Sequence, residues 1–155
     1  MAERDPIRDA IPHREPFLFV SRVLEQDAER IVCEWDVTPD HEFFRGHYPG
    51  SPLLPGVLLA ESAVQAGAIL CAADETAAPG SVPVLTRIRD ARFRQMVAPG
   101  DTLRFEVSLD ERVGAARYMT ARVTRDGQKI ARVEYVVAMA PAPGLTPDLA
   151  TGQEA

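Results

Sequence analysis

The stretch GHYPGSPLLPGVLLAESAVQ, residues 46–65, decides the architecture of this chain. It begins with His47 on a loop whose closely spaced glycines and prolines are typical of a rigid loop with a defined shape. It then runs into the most apolar segment of the sequence, where Pro55 and Gly56 suit the first turn of a helix. From Val57 to Ala73 nearly every residue is apolar, which predicts a helix that is surrounded by protein.

One carboxylate, Glu61, interrupts this apolar helix, and Gln65 follows one turn later. Placing an ionised carboxyl group in apolar surroundings is costly, and burial raises a carboxyl pKa, so such a residue is expected to have a function. Residues four apart lie on the same helix face, which predicts a hydrogen bond between the two side chains. The alternative is a glutamate on a solvent-facing side, which its apolar neighbours disfavour.

The remaining sequence predicts a β-scaffold built around this loop and helix. Runs of alternating or β-branched residues separated by turn signals predict two strands before the loop and four after the helix, at residues 17–24, 31–37, 83–96, 102–109, 115–124 and 129–139. We expect a loose arm or short turn over residues 1–10 and a short helical turn over residues 41–45 that brings Phe43 and Phe44 to the core.

This pattern predicts one α+β domain, residues 1–140, in which the long helix lies against the concave face of a curved antiparallel sheet. Residues 141–155 are rich in proline and glycine and predict a flexible C-terminal tail. Because a single sheet leaves one side of an apolar helix uncovered, we also expect a homodimer.

Composition excludes several classes of function. The chain has 155 residues and a net charge of −6, which argues against sequence-independent nucleic-acid binding. Cys33 and Cys71 form no CxxC pair, so a reducing compartment is simpler than a disulfide or zinc framework. The three histidines show no metal-ligand spacing, and no metal site is expected.

No membrane association is expected either. The first residues are charged and lack the apolar core of a secretory signal. The long apolar run, residues 53–73, contains Pro55, Glu61 and Gln65 and lacks flanking basic anchors, so it predicts a buried helix rather than a membrane span. We therefore expect a cytoplasmic protein.

Several motifs, taken together, resemble a known family. They are Pro12-His13-Arg14-x-Pro16-Phe17-Leu18, the loop and helix of residues 46–65, Ala91-Arg92-Phe93-Arg94 and Pro99-Gly100-Asp101. Their spacing strongly resembles that of the (3R)-hydroxyacyl-[acyl carrier protein] dehydratases of bacterial fatty acid synthesis, over roughly residues 10–140. The resemblance implies a hot-dog fold.

The resemblance also implies an activity and an assembly. It implies dehydration of a 3-hydroxyacyl thioester, carried on the phosphopantetheine arm of acyl carrier protein, to the trans-2-enoyl thioester. No cofactor or metal is implied. The active site would lie across a homodimer, with His47 of one subunit facing Glu61 of the other and an acyl tunnel along the helix interface. A trimer of dimers is compatible with the family.

This chemistry needs a base, an acid and an oxyanion donor. His47 is the candidate base, and Glu61 is the candidate acid, with Gln65 holding its carboxyl group. The unpaired N–H of Gly56, at the helix N-terminus, is the candidate donor to the thioester carbonyl, with Val57 as its neighbour. The plainer interpretations are a loop histidine packed on aromatic residues and an ordinary turn glycine.

Other residues have weaker assignments. His13 is expected to brace its loop by hydrogen bonds, and His41 is expected to be exposed. A cluster of arginines is either a solvated strand face or a docking patch for the acidic carrier protein: Arg87, Arg89, Arg92 and Arg94. Rival functions are a hot-dog thioesterase and a non-catalytic acyl-thioester-binding protein. A dehydratase that also isomerises its product is disfavoured, because its relatives carry aspartate at the position of Glu61.

Overall fold

Residues 3–142 are described by the computed structural model and contain six strands and one long helix. The strands are β1 (Arg22–Gln26), β2 (Arg30–Asp36), β3 (Ser81–Phe93), β4 (Thr102–Val113), β5 (Ala116–Arg125) and β6 (Gln128–Pro141). The helices are α1 (Pro6–Ala10), a 3-10 helix (Glu42–Arg45) and the long α2 (Gly56–Ala72). The predicted order, two strands, one long helix and four further strands, is therefore confirmed.

All six strands form one antiparallel sheet in the order β1-β2-β4-β5-β6-β3. Register shifts interrupt every pairing except that of β2 with β4, and such irregularities bend and twist a sheet. Helix α2 packs across one face of the sheet and contacts strands β2 to β6. The chain thus forms a curved sheet around one central helix.

Small residues on α2 let its backbone approach the sheet closely. A Cβ atom added to Gly67 would lie 2.0 Å from the hydroxyl oxygen of Tyr135 on β6. That hydroxyl is buried and donates a hydrogen bond of 3.1 Å to the carbonyl oxygen of Ala63. Glycine at this position is therefore required by the space available rather than by backbone conformation.

A buried ion pair fixes the C-terminal end of α2 to the sheet. Asp74 follows the helix, and its carboxylate accepts a 2.7 Å hydrogen bond from Nε of the buried Arg117 on β5. Burial alone would raise the pKa of Asp74, but hydrogen bonds from Thr76 and Arg117 outweigh it and hold this pKa well below its usual value. The carboxylate is therefore ionised in the folded chain at neutral pH.

The predicted strand over residues 17–24 is wrong at its start, because β1 begins only at Arg22. The backbone of the preceding segment is paired with a helix side chain instead of a strand. Gln65 accepts a hydrogen bond from the N–H of Phe19 at 2.8 Å and donates one to the carbonyl of Phe17 at 3.2 Å. Phe19 is nevertheless buried in the core, as its apolar character suggested.

Smaller deviations occur at the two ends of the domain. The loose arm or short turn expected near the N-terminus is helix α1, which starts with Asp5 accepting hydrogen bonds from two backbone N–H groups and with Pro6 at its first position. Strand β3 ends at Phe93, earlier than expected. Beyond the predicted domain boundary at residue 140, Pro141 still belongs to β6 and Ala142 is buried. The rest of the predicted tail lies outside the described residues, so the domain division stays a prediction.

Two apolar surfaces stay uncovered in the single copy. On α2, Val57 is 77% exposed, and Glu61 and Val64 continue the same stripe half-buried. Within residues 3–142, β3 pairs only with β6 and forms an edge of the sheet. This long edge exposes large apolar side chains at Val84, Leu85 and Ile88. No helix in the described part of the chain is long and apolar enough to cross a membrane.

Candidate active site

The loop that carries His47 is held at both ends by backbone hydrogen bonds. The N–H of His47 donates to the carbonyl of Phe43 at 3.1 Å, and the N–H of Leu54 donates to that of Val97 at 2.8 Å. Tyr48 adopts a positive φ of 54°, a strained conformation for a bulky residue, and its carbonyl accepts from the N–H of Ser51. The loop therefore has a fixed shape, as its glycines and prolines predicted.

The loop also orients the imidazole of His47. Its Nδ1 lies 2.8 Å from the carbonyl oxygen of Leu53. Because a carbonyl oxygen can only accept a hydrogen bond, Nδ1 carries the proton, and Nε2 of the neutral ring keeps a free lone pair. The ring also packs edge-on against Tyr48, with centroids 4.8 Å apart. The packing expected of an ordinary loop histidine is thus present, yet the ring is also set up as a base.

His47 and Gly56 line the same cavity, which has a volume of about 310 Å³. Gly56 begins α2, and among the hydrogen bonds of residues 3–142 neither its N–H nor that of Val57 has an acceptor. The ring of Phe93 lies 3.5 Å from the place where a Cβ on Gly56 would stand. A base and the residue with the first free N–H of the helix therefore line one open space, and Val57, with the second free N–H, follows directly in the chain.

Gln65 holds Glu61 through the hydrogen bond that the helical spacing predicts. The amide Nε2 of Gln65 donates to Oε1 of Glu61 at 3.1 Å. The side chain of Gln65 is fully buried and is fixed by its two bonds to the backbone of Phe17 and Phe19. The carboxyl group of Glu61 is only half-buried, with 24% of its side chain exposed. It lies on the uncovered stripe of α2 rather than inside the core.

The cavity around His47 is not lined by Glu61. A single copy, as far as residues 3–142 describe it, brings together the base and the N–H donors but leaves the carboxyl group outside. Val57, on the same stripe as Glu61, is also exposed at the surface, and its N–H has no acceptor within residues 3–142. The predicted placement of Glu61 in the site of a second copy stays a prediction.

His13 is the residue near the site that sequence reasoning placed differently. Its Nε2 lies 3.6 Å from Oε1 of Glu61, and its buried Nδ1 has no hydrogen-bond partner. The bracing expected of it comes from Arg14, whose guanidinium donates to the carbonyls of Ile11, His13 and Arg8. The contact joins residues far apart in the chain, so only the Pro-His-Arg motif itself could have signalled it.

The prediction that His41 is exposed is wrong. It lies half-buried in a cluster of aromatic rings, stacked on Phe43 at 5.1 Å and against Trp35 at 5.5 Å. Burial lowers the pKa of His41, because the charged imidazolium is poorly solvated there. The expectation failed because the aromatic rings that enclose this side chain come from several separate segments of the chain.

The arginine cluster, which was expected to be either a solvated strand face or a docking patch, lies on an exposed part of β3 and just beyond it, and its role stays a prediction. Arg89 lies over the ring of Tyr118, and Arg92 pairs with Asp90 at 3.0 Å. The register of the sheet also forms a second set, here called the basic row, in which Arg92, Arg132 and Arg122 stand directly opposite one another on β3, β6 and β5. Like charges in such positions repel each other, so this row favours an anionic partner.

Among residues 3–142, no group of three or more His, Cys, Asp or Glu side chains is placed to hold a metal ion. Cys33 and Cys71 are both free and buried. Burial raises the pKa of Cys33 to about 12. The pKa of Cys71 is raised to about 11, and burial is the largest cause. Neither thiol has the ionised character that a nucleophile needs.

Comparison with solved structures shows the fold. The chain superposes on a chain of the dehydratase heterocomplex ApeI:P from Xenorhabdus doucetiae with a TM-score of 0.75, at 17% identity, covering 92% of this chain and 96% of that one. It also superposes on a hypothetical thioesterase from Streptococcus pneumoniae, solved with coenzyme A, with a TM-score of 0.62 at 11% identity, covering 77% and 85%. The predicted hot-dog fold is confirmed.

Comparison with known sequences shows the family. The chain is 45% identical to the 3-hydroxyacyl-[acyl-carrier-protein] dehydratase FabZ of Oenococcus oeni, covering 79% of this chain and 88% of that protein. It is 38% identical to the FabZ of an Anaeromyxobacter species, covering 90% and 95%. The model of the FabA-like domain matches residues 11–134. The chain therefore belongs to the FabA-like family, the family of these dehydratases.

Proposed function

We propose that this chain is a hydro-lyase that dehydrates 3-hydroxyacyl-[acyl carrier protein] to the trans-2-enoyl form in fatty acid synthesis or a related lipid route. The similarity to FabZ dehydratases over most of the chain supports this function. The observation that carries it is that one cavity is lined both by the fixed imidazole of His47 and by Gly56, whose N–H is free at the start of α2. Proton removal next to a thioester carbonyl needs both of these parts.

In the proposed reaction, Nε2 of His47 takes a proton from C2 of the substrate. The electron pair of the broken C–H bond forms the C2–C3 double bond as the C3–O bond breaks. The N–H groups of Gly56 and Val57 hold the thioester oxygen, where negative charge accumulates. The departing hydroxyl group takes a proton from Glu61 and leaves as water, so atoms and charges balance.

The acid would come from a second copy of the chain. Glu61 lies on an uncovered stripe of α2 and outside the cavity of its own His47. The apolar stripe and the exposed edge of β3 both favour a homodimer, since long apolar edges are prone to pair. A trimer of dimers stays a prediction from the family resemblance.

The carrier protein is proposed to dock on the basic row. This row lies in a chain of net charge −6. Arg92 and Arg132 each pair with a carboxylate, whereas Arg122 stands opposite Glu106 on β4 and has no carboxylate within 4.0 Å among residues 3–142. The arrangement suits an acidic protein that carries its acyl group on a long arm, and such an interface would weaken with salt. A thioester that lacks the carrier protein would not depend on this row for binding.

Kinetics with two substrates test this docking. Replacing Arg122 and Arg132 by glutamine should raise KM for the carrier-protein substrate by about tenfold at low salt and leave KM for an uncharged N-acetylcysteamine thioester unchanged. Arg4→Gln removes a positive charge from an exposed position far from the row in sequence and serves as the control. Equal changes of KM for both substrates would contradict docking at this surface.

The dehydratase reaction itself is tested by following hydration of an enoyl thioester through its ultraviolet absorbance. His47→Ala and Glu61→Gln should each lower kcat by about 10²–10⁴-fold. Glu42→Gln makes the same chemical change at an exposed glutamate and should keep full activity. An inactive wild-type chain, or full activity after His47→Ala, would contradict the proposal. Hydrolysis of the thioester would instead indicate a thioesterase, and acyl binding without turnover a binding protein.

No cofactor or metal is needed for the proposed reaction. Activity should therefore survive dialysis against a chelator, and loss of activity restored by one metal would contradict this part of the proposal. A cytoplasmic location is also proposed, on the ground that Cys33 and Cys71 are both free thiols. Cell fractionation with an antibody to the chain tests the location.

A further inference from the structure

We infer that His13 is a positioning residue for Glu61: together with Gln65 it occupies one carboxyl oxygen and leaves the other to face the substrate. This inference rests on the proposed function, because it assigns a partner to the proposed acid. Its starting point is that both side chains approach the same atom, Oε1 of Glu61, at 3.6 Å from His13 Nε2 and 3.1 Å from Gln65 Nε2.

The second oxygen of Glu61 is free. Among the hydrogen bonds and ion pairs of residues 3–142, Oε2 has no partner. A carboxylic acid that accepts hydrogen bonds at one oxygen carries its own proton on the other, so the proton would sit on Oε2. The half-exposed stripe of α2 lets Oε2 reach a substrate held in the cavity of a second copy. The carboxyl group would thus be oriented before the substrate arrives.

The surroundings of His13 select the tautomer that can donate to Oε1. Its Nδ1 is buried without a partner, so a proton there would be an unpaired buried donor. With Nδ1 protonated, Nε2 would also turn its lone pair towards an oxygen lone pair of Glu61. A proton on Nε2 is favourable both before and after Glu61 releases its own proton. The 3.6 Å separation is longer than a hydrogen bond, and such contacts often tighten only in the substrate complex.

His13 is held in place independently of Glu61. Arg14 ties the loop together through three backbone carbonyls, and Gln65 ties the next segment to α2 through Phe17 and Phe19. The imidazole also stacks towards the ring of Phe17, with centroids 6.5 Å apart. A side chain fixed by other contacts can orient a catalytic group without losing much entropy of its own.

Two substitutions test the inference in the full-length chain. His13→Leu removes the donor. Its kcat should fall roughly ten- to hundredfold, as expected for one hydrogen bond to the carboxylate that forms while Glu61 gives up its proton, with KM unchanged. His13→Gln keeps an N–H donor at the end of the side chain, and it should restore kcat to within about threefold of the wild type. A kcat of His13→Leu equal to the wild type would overturn the inference. So would equal losses of kcat in both variants with an equal fall in Tm, which would assign His13 a purely structural role.

A second measurement keeps this result apart from the proposed function. The chain has three histidines, so nitrogen NMR of the imidazole rings can identify the tautomer of each. We expect His13 protonated at Nε2 and His47 protonated at Nδ1. An inactive wild type would reject the dehydratase proposal alone, whereas a proton on Nδ1 of His13 would reject the positioning role whatever the activity.

Discussion

Gln65 links the fold to the site, and its replacement by leucine has a predictable cost. The fully buried amide makes three hydrogen bonds, to Phe19 N–H, to the Phe17 carbonyl and to Glu61. Leucine has nearly the same volume and fills the space, so little cavity energy is lost. The polar partners, however, lose their bonds. Gln65→Leu therefore isolates the polar contribution of this side chain.

The loss of stability in Gln65→Leu depends on which of the three hydrogen-bond partners of Gln65 stay buried. The N–H of Phe19 lies in the core and cannot reach water, which costs about 1–3 kcal/mol. Phe17 and Glu61 are accessible enough to bind water, so their losses are smaller. We expect the free energy of unfolding to fall by about 2–3 kcal/mol, which lowers Tm by roughly 5–10 °C for a chain of this size. Glu61 also loses its holding bond, so kcat should fall about tenfold.

Denaturant unfolding and calorimetry measure the first effect, and the enoyl-thioester assay measures the second. Ser62→Ala is the matched control, because Ser62 is also fully buried but bonds only to the carbonyl of Leu59 within its own helix. That variant should stay within about 1 kcal/mol of the wild type. If Gln65→Leu were as stable as Ser62→Ala, the cost assigned to the Phe19 N–H would be refuted.

Two further predictions concern the contacts of α2 and of the residue that follows it with the sheet. Gly67→Ala places a Cβ 2.0 Å from the Tyr135 hydroxyl. It should lower the free energy of unfolding by about 1–3 kcal/mol, although alanine has the better helix propensity. The loss should be smaller in a Tyr135→Phe background, which a double-mutant cycle of unfolding free energies measures. Asp74 has a lowered pKa in the folded chain, so its stabilisation is present above its unfolded pKa of about 4 and is lost as pH falls below it. Asp74→Asn leaves Arg117 buried without a counter-charge and should lower the free energy of unfolding by about 3 kcal/mol at neutral pH. The variant should also lose less stability than the wild type between about pH 4 and 2. An equal loss of stability in both chains over this pH range would contradict the role of Asp74.

Local sequence signals predicted the elements that depend on local physics. The helix expected from Val57 to Ala73 is observed at Gly56–Ala72, because its apolar run and its proline start are properties of the segment itself. The hydrogen bond from Gln65 to Glu61 also followed from helix geometry alone. The fixed loop around His47 followed from its glycines and prolines.

What the sequence did not predict depends on contacts between distant segments. Residues 17–21 have the composition of a strand, yet the N–H of Phe19 binds a side chain 46 positions away. The contact of His13 with Glu61, the burial of His41 and the opposed arginines of the basic row all arise from register and packing. The start of α1 is the exception, since the Asp5-Pro6 pair is a local helix signal that the sequence itself carries.

The central claim is that His47 of one copy works with Glu61 of another, and mixed dimers test it directly. Inactive His47→Ala chains are mixed with inactive Glu61→Gln chains, unfolded and refolded together, and assayed for enoyl-thioester hydration. Each mixed dimer would then contain one intact site, so random pairing should restore about a quarter of the wild-type activity. No recovery in dimers verified to contain both chains would contradict a shared site and would assign both residues to one subunit.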